Sequence, residues 1–112
     1  MLNPIANRLE RYLDLLGTRQ KVVASNIANA DTPGYKTQDI DFQSEFQRVM
    51  EGDAPRTTEV AGLTVRNDGN NVSIDREARL LAENGLRFNM ASAILRGQIR
   101  LVRSAIQEGR NG

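Results

Sequence analysis

The fold of this chain is decided by one stretch, residues 24–36, which reads ASNIANADTPGYK. It begins with small, apolar and amide side chains and ends at Pro33-Gly34, a pair that stops a helix and favours a turn. Two asparagines stand just before this stop, although asparagine is a poor helix former away from the caps. Such a polar helix end is predicted to meet another protein surface and not to hold a substrate.

Upstream of this stretch, residues 4–30 are predicted to form one long helix. Asn3 can cap it, and Pro4 suits the first helical position. Its apolar residues recur in alternating steps of four and three, the spacing of a coiled coil. Asn26 falls on the same seam, where a buried asparagine can fix the register and the partner. The positions expected to pack on a second helix are Leu9, Tyr12, Leu16 and Val23.

A second long helix is predicted for residues 76–108, with Asp75 as its cap. Apolar residues that lie off its main seam, such as Leu86, indicate more than one neighbour and an association surface. We therefore predict a mainly α fold in which the two long helices pair as an antiparallel coiled coil. The packing positions on the second helix are Leu81, Phe88, Leu95, Ile99, Val102 and Ile106.

The middle segment, residues 35–75, is predicted to be short and either irregular or a β-hairpin. Residues 41–51 carry apolar side chains at helical spacing and predict a short amphipathic helix. Residues 63–67 and 70–74 flank Asp68-Gly69, a hairpin signal. A lone hairpin is marginal in water, so this segment either orders against another surface or is a flexible linker. The length predicts a single domain, divided into residues 1–34, 35–75 and 76–112.

Composition excludes several function classes. Fifteen Lys and Arg against 14 Asp and Glu give a net charge of +1, which gives no electrostatic case for nucleic acid. The chain has no Cys and no His, so it lacks the commonest general base and metal ligand. Asp31, Asp39 and Asp41 could suggest a metal or acid–base site, but no His, Cys or Gly-rich frame supports them. We predict no enzyme activity, no cofactor and no metal.

Charge is unevenly distributed along the chain. Arginines make the second long helix basic, and this is either a solvated face or the complement of an acidic neighbour. The middle segment has an acidic excess and is the obvious acidic candidate. The N-terminus shows no basic region followed by an apolar run, so no cleaved signal peptide is predicted. No apolar stretch is long enough to span a membrane.

Residues 25–36 resemble the N-terminal signature of bacterial flagellar rod, hook and hook-associated axial proteins. The family pattern is a helix that ends in an Asn-Ile/Leu-Ala-Asn core, followed by Thr-x-Gly-Tyr-Lys. The short length, together with VSIDRE at residues 72–77 and LAENGLRF at residues 81–88, resembles proximal rod proteins of the FlgB type. The signature and assembly residues that this resemblance implies are Ser25, Asn26, Ile27, Ala28, Asn29, Thr32, Pro33, Gly34, Tyr35 and Lys36.

The resemblance implies a structural subunit of the proximal rod, the drive shaft that joins the motor ring to the hook. The implied partners are further copies, other rod proteins, the motor (MS) ring, a rod-base adaptor protein and the flagellar type III export apparatus. Export without a cleaved signal, a place in the periplasm, no nucleic acid and no direct membrane insertion are also implied. The alternatives are another proximal rod subunit, a soluble coiled-coil adaptor, or a small hydrolase built on the three aspartates. A rod subunit is expected to be largely unfolded alone, whereas an adaptor is expected to form a stable helical dimer.

Overall fold

A computed structural model describes residues 3–111, which form an elongated molecule of 71 × 26 × 18 Å. The elements in chain order are α1 (Pro4–Ala28), β1 (Gln38–Asp39), α2 (Phe42–Met50), β2 (Thr58–Glu59) and α3 (Ile74–Asn111). The two long helices run antiparallel, because Asn3 at the start of α1 contacts Gln98, whereas Asn26 near its end contacts Glu77. The prediction of a mainly helical chain with two long terminal helices and a small middle segment is confirmed.

The helix α1 begins where the sequence predicts. The side-chain oxygen of Asn3 accepts a hydrogen bond of 2.7 Å from the Ala6 amide, and Pro4 fills the first helical position. The helix ends at Ala28, slightly before the predicted end. Asn29 leaves the helical conformation, with φ −104° and ψ 17°, and its amide donates to the Ser25 carbonyl at 3.0 Å.

The helix α3 begins at Ile74, so the prediction that Asp75 caps it is wrong. Ser73 is the cap, because its Oγ accepts the Arg76 amide at 3.2 Å. Serine and aspartate cap helices about equally well, so local preference does not choose between them. The burial of Asn71 and Val72 fixes where the chain can turn into the helix.

The hairpin predicted around Asp68-Gly69 is wrong, although a turn forms there. The Arg66 amide donates to the Asn70 carbonyl at 2.8 Å, but the residues on either side belong to no strand. The antiparallel pair is instead β1 with β2, in which Gln38 lies opposite Glu59. Beyond the bond between Arg66 and Asn70 the ladder does not continue, because the Asn70 side chain bonds to the end of α1. The amphipathic helix predicted for residues 41–51 is confirmed as α2.

The main apolar core lies between α1 and α2. Leu15, Ile40 and Val49 are buried there, and the Tyr12 ring packs edge-on against two phenylalanines at 5.2 and 5.8 Å between centroids. By contrast, the buried residues of α3 are Glu77, Asn84 and Ala91. Two of the three fully buried residues of α3 are therefore polar, whereas its aliphatic residues, such as Leu95 and Ile99, are at most half-buried. Neither α1 nor α3, over the described residues, carries an apolar run that could cross a membrane.

The helix-packing residues predicted from heptad spacing fall into three groups. Leu16 and Val23 are buried in the monomer. The half-buried group is Leu9, Tyr12, Leu95, Ile99 and Val102, and the exposed group is Leu81, Phe88 and Ile106. Three half-buried residues and all of the exposed ones belong to α3, so this helix retains apolar surface after pairing with α1.

Candidate assembly site

Asn26 is the centre of the signature stretch, and its side chain is fully buried. Its Oδ1 accepts hydrogen bonds from the Tyr35 hydroxyl at 2.9 Å and the Gln38 amide at 3.1 Å. Its Nδ2 donates to the Gln38 carbonyl at 2.8 Å and to Glu77 Oε1. An asparagine side chain offers two donors and two acceptor lone pairs, so all four are used. Asn26 therefore ties together α1, the segment after the signature, and α3.

The other signature residues differ in how far they are buried. Asn29, Tyr35 and Lys36 are half-buried. The exposed members are Ser25, Ile27, Ala28, Thr32, Pro33 and Gly34. The stretch thus has an inner side that binds its own chain and an outer side that faces solvent.

Asn70 closes the end of α1 from a distant part of the sequence. Its buried Nδ2 donates to the Asn29 carbonyl at 2.9 Å and the Thr32 carbonyl at 2.8 Å. Its Oδ1 accepts from the Val72 amide and from Arg66, at 2.8 and 2.7 Å. Sequence reasoning missed Asn70 because it assigned the residue to a strand. The available signal was the Asn70-Asn71 pair directly after an Asp-Gly turn.

Two glycines allow the signature turn and the Asp68-Gly69 turn to touch. Gly34 has φ +75°, a conformation that favours glycine, and its amide donates to the Asp68 carbonyl at 2.8 Å. Gly69 has φ +84°, and a Cβ added there would lie 3.3 Å from Gly34 Cα. Lys36 Nζ also bonds the Gly69 carbonyl. The sequence explains Gly34 by a turn alone, whereas the approach of Gly69 is a tertiary feature.

A short chain of charges lies beside Asn26. Asp39 accepts two hydrogen bonds of 3.0 Å, from Nε and Nη2 of Arg19. It accepts a third, of 2.6 Å, from Arg76. Arg76 also pairs at 2.6 Å with Glu77, which is fully buried and whose other oxygen accepts from Asn26. Two arginines and two carboxylates thus compensate each other. Arg19, which interrupts the apolar seam of α1, has its partner here. We call Asn26, Arg19, Asp39, Arg76 and Glu77 the signature network.

The pKa of Asp39 reports the strength of this pairing. Burial by itself raises that pKa, but the hydrogen bonds from Arg19, the Ile40 amide and Arg76 outweigh it and hold the pKa below its usual value. Burial likewise acts to lower the pKa of Arg76, and its hydrogen bonds to Asp39 and Glu77 outweigh this and raise it. The fold therefore favours the ionised form of both groups.

We expect the fold to weaken in acid through Asp39. A carboxyl group with a lowered pKa in the folded state stabilises the fold above its unfolded-state pKa of about 4, and this is lost as the pH falls through the folded-state value. Far-UV circular dichroism of the chain in sucrose, which favours compact states and does not itself titrate in this pH range, measures this loss of helix. Asp39→Asn should flatten the pH dependence, whereas Asp14→Asn on the exposed side of α1 should not. Parallel curves for the native chain and Asp39→Asn would contradict this assignment.

The three aspartates considered as a metal or acid–base site have other surroundings. Asp39 is bound by two arginines, Asp41 is the cap residue of α2, and Asp31 is exposed after the end of α1. Within residues 3–111, no group of three or more carboxylates is placed to hold a metal ion. Of the three, only the Asp39 side chain makes a folding contact, through its two arginines.

Two paired terminal helices with the signature stretch at the end of α1 define a class of axial rod protein. Comparisons with known proteins identify the family. A family model described as "Flagella basal body rod protein" matches residues 13–36. The chain is 37% identical to the flagellar basal body rod protein FlgB of Escherichia coli (strain K12), over 89% of this chain and 91% of that protein. It is 35% identical to FlgB of Yersinia ruckeri, with the same coverage. It is 31% identical to FlgB of Borrelia hermsii, over 75% of this chain and 82% of that one.

The chain therefore belongs to the FlgB family of flagellar basal body rod proteins. It is a structural subunit of the proximal rod of the flagellar basal body, in a family whose members are not enzymes. The family predicted by resemblance is thereby confirmed.

Proposed function

We propose that this subunit joins its neighbours in the rod through the apolar surface of α3, while the signature network keeps the two long helices in register. The observation that carries the proposal is the exposure of Leu86, Met90, Ile94 and Leu101, at 62%, 58%, 51% and 63%. These four residues lie on one side of α3, and Leu86, Met90 and Ile94 line a groove that α3 shares with α1 and α2. Contiguous exposed apolar side chains mark association surfaces.

The signature has two roles in this proposal. Its inner side, centred on Asn26, fixes how the chain leaves α1 and reaches α3. Its exposed residues, among them Ile27 at 36%, then lie on a rigid turn and are available to a neighbouring subunit. The whole chain acts as one domain, because contacts between residues 25–39 and 66–77 tie its two terminal parts together.

The wider setting follows from the resemblance. The partners are further copies of this chain, other rod proteins, the MS ring and a rod-base adaptor, along a shaft that carries torque from the motor ring to the hook. The chain is exported by the flagellar type III apparatus without a cleaved signal and functions in the periplasm. A small core supports passage in an unfolded form, because little apolar surface has to be exposed again to unfold the chain.

The test is rod assembly by variants of α3 in a strain that lacks its own copy of this protein. Leu86→Asp and Leu101→Asp are expected to block rod formation while synthesis continues, because each places a carboxylate on the exposed apolar side of α3 that is proposed to meet a neighbour. Immunoblotting measures synthesis, and electron microscopy of basal bodies measures rods. Asn89→Asp is the matched control, since it adds the same charge at an exposed position of α3. Normal rods and motility with Leu86→Asp and Leu101→Asp would refute the role of this surface.

A further inference from the structure

The helix α3 has a glycine in its interior, Gly85, opposite a glycine of α1. Both Gly85 and Gly17 line one hollow of about 280 Å³ between the two helices. A Cβ added to either glycine would meet no atom within 4 Å, apart from its chain neighbours and the backbone of its own helix. Close packing therefore requires neither glycine, although each makes its helix less stable than alanine would.

The contact between α3 and α1 is interrupted at this hollow. Residues 86–90, directly after Gly85, are all exposed, so α3 passes through more than one turn without a buried side chain. Phe88 lines the hollow and is 45% exposed. Asn84 also lines it and is buried, but its Oδ1 has no hydrogen-bond partner among the described residues. Because an unpaired buried acceptor costs free energy, the packing of α3 on α1 is weak at this level.

The two parts of α3 on either side of Gly85 are held differently. Before Gly85, the signature network holds the helix through Glu77, which is fully buried. Within residues 86–110, Ala91 alone is buried. Two hydrogen bonds from this part to α1, of 3.2 and 3.3 Å, join exposed or half-buried groups that water can satisfy when the bonds open. The part after Gly85 is therefore the less firmly attached of the two.

The helix α1 is held straight at its own glycine by the middle segment. Leu15, just before Gly17, shares an apolar core with Ile40. Arg19, just after Gly17, pairs with Asp39 at 3.0 Å. Because Asp39 and Ile40 are adjacent in the chain, they hold the two sides of Gly17 together. The missing side chain of Gly17 leaves room for α3 to move and does not let α1 bend.

On the basis of the rod function proposed above, we propose that Gly85 is a hinge in α3. About this hinge, residues 86–111, which we call the arm, change their angle to α1 when the subunit meets a neighbour in the rod. A glycine has no side chain to restrict its backbone angles, and hinges are often small residues that absorb such a change. The part of α3 before Gly85 stays on the signature network.

The hinge controls an apolar groove of about 630 Å³ that the arm shares with α1 and α2. Leu86, Met90 and Ile94 form the wall on the arm, and Tyr12 and Phe46 belong to the opposite wall. Because only the first wall lies beyond the hinge, movement of the arm changes the width of the groove. The apolar surface that the subunit offers to a neighbour then depends on the angle of the arm.

Gly85→Ala tests the hinge, because alanine favours a straight helix and its Cβ enters open space. The urea midpoint of unfolding is expected to rise. The difference in helix preference between glycine and alanine should lower the population with a bent α3 by about fivefold. In a strain that lacks its own copy, we expect the number of rods to fall by up to about this factor, although the variant is the more stable protein.

Gly97→Ala is the matched control. Gly97 lies within the arm of the same helix, and a Cβ there would make one ordinary contact, at 3.8 Å from Arg100. The gain in helix preference is the same, so the unfolding midpoint should rise by a similar amount. Rod numbers should stay at the native level, because the hinge at Gly85 is intact.

Spin labels measure the movement directly, because the chain has no cysteine of its own. Glu10→Cys with Ser104→Cys labels α1 and the arm, whereas Glu10→Cys with Arg79→Cys labels α1 and the part of α3 before the hinge; all three positions are exposed. Pulsed electron paramagnetic resonance of the full chain in trimethylamine N-oxide gives the two distance distributions. We expect a broad distribution for the first pair, a narrow one for the second, and narrowing of the first by Gly85→Ala.

Three results would each overturn the proposal. The first is native rod numbers with Gly85→Ala while its unfolding midpoint has risen. The second is an equal loss of rods with Gly97→Ala, since stiffening anywhere in the arm would then suffice. The third is a narrow distance distribution between the labels at positions 10 and 104. The distance measurement needs no rods, so it separates failure of the hinge from failure of the proposed function, which Leu86→Asp and Leu101→Asp test.

Discussion

Asn26→Ala is expected to lower the free energy of unfolding by about 4 kcal/mol, because it removes four hydrogen bonds at about 1 kcal/mol each from a buried site. The Gln38 amide and carbonyl and Glu77 Oε1 each lose the partner that Asn26 supplies. A loss of this size approaches the whole stability of a small domain, at about 5–15 kcal/mol. Rod assembly by this variant is therefore expected to fail.

The measurement is a urea titration followed by circular dichroism, in trimethylamine N-oxide so that the chain starts from the folded state. Asn7→Ala is the matched control, since Asn7 is exposed on the same helix and its loss is expected to change stability by less than about 0.5 kcal/mol. Asn26→Asp should be at least as damaging as alanine, because it removes both donors and adds a charge beside Glu77. Native stability of Asn26→Asp would show that the Asn26 amide does not hold the two long helices in register.

Arg76→Leu is expected to destabilise the fold by about 3 kcal/mol, the loss typical when one partner of a buried ionic pair is removed. It leaves Glu77 charged and without its cation in a fully buried position, while Asp39 retains Arg19. The stability of the variant is measured by the same urea titration. Adding Glu77→Gln should recover part of the loss, because the neutral amide removes the unpaired charge while its oxygen can still accept from Asn26 Nδ2.

Arg79→Leu provides the comparison for this effect. Arg79 lies one turn further along α3 and pairs with Asp75 at 3.4 Å, but both side chains are largely exposed. Exposed pairs contribute little, so a change of less than about 1 kcal/mol is expected. Equal losses for Arg76→Leu and Arg79→Leu, or no recovery in the double variant, would count against a buried ionic network.

The sequence predicted the elements whose signals are local. The start of α1 follows from Asn3-Pro4, and α2 follows from apolar residues at helical spacing in residues 41–51. The family follows from residues 25–36, because a fixed order of residue types can be recognised without any contact. The sequence also singled out Asn26, because a polar amide is unexpected among the apolar residues of a helix seam.

The partners of Asn26 could not be predicted in the same way. Its place on the apolar seam predicts contacts between helices, whereas the structure surrounds it with Tyr35, Gln38 and Glu77. Hydrogen bonds between residues that are distant in sequence produce no periodic pattern along the chain. The true cap of α3 and the pairing of β1 with β2 were missed for the same reason, since burial of Asn71 and contacts of Asn70 decide them.

The sequence by itself determined that this chain has two long helices, where α1 begins, and which family it belongs to. Each of these follows from residues that are close together in the chain: the helical period, the capping residues and the signature. Only the tertiary structure decided which face of α3 meets α1. Heptad spacing pointed to its aliphatic residues, but Glu77, Asn84 and Ala91 are the ones buried. The polar groups near the signature can be satisfied only inside the subunit, and the aliphatic side of α3 is thereby left on the surface, where a neighbouring subunit can cover it.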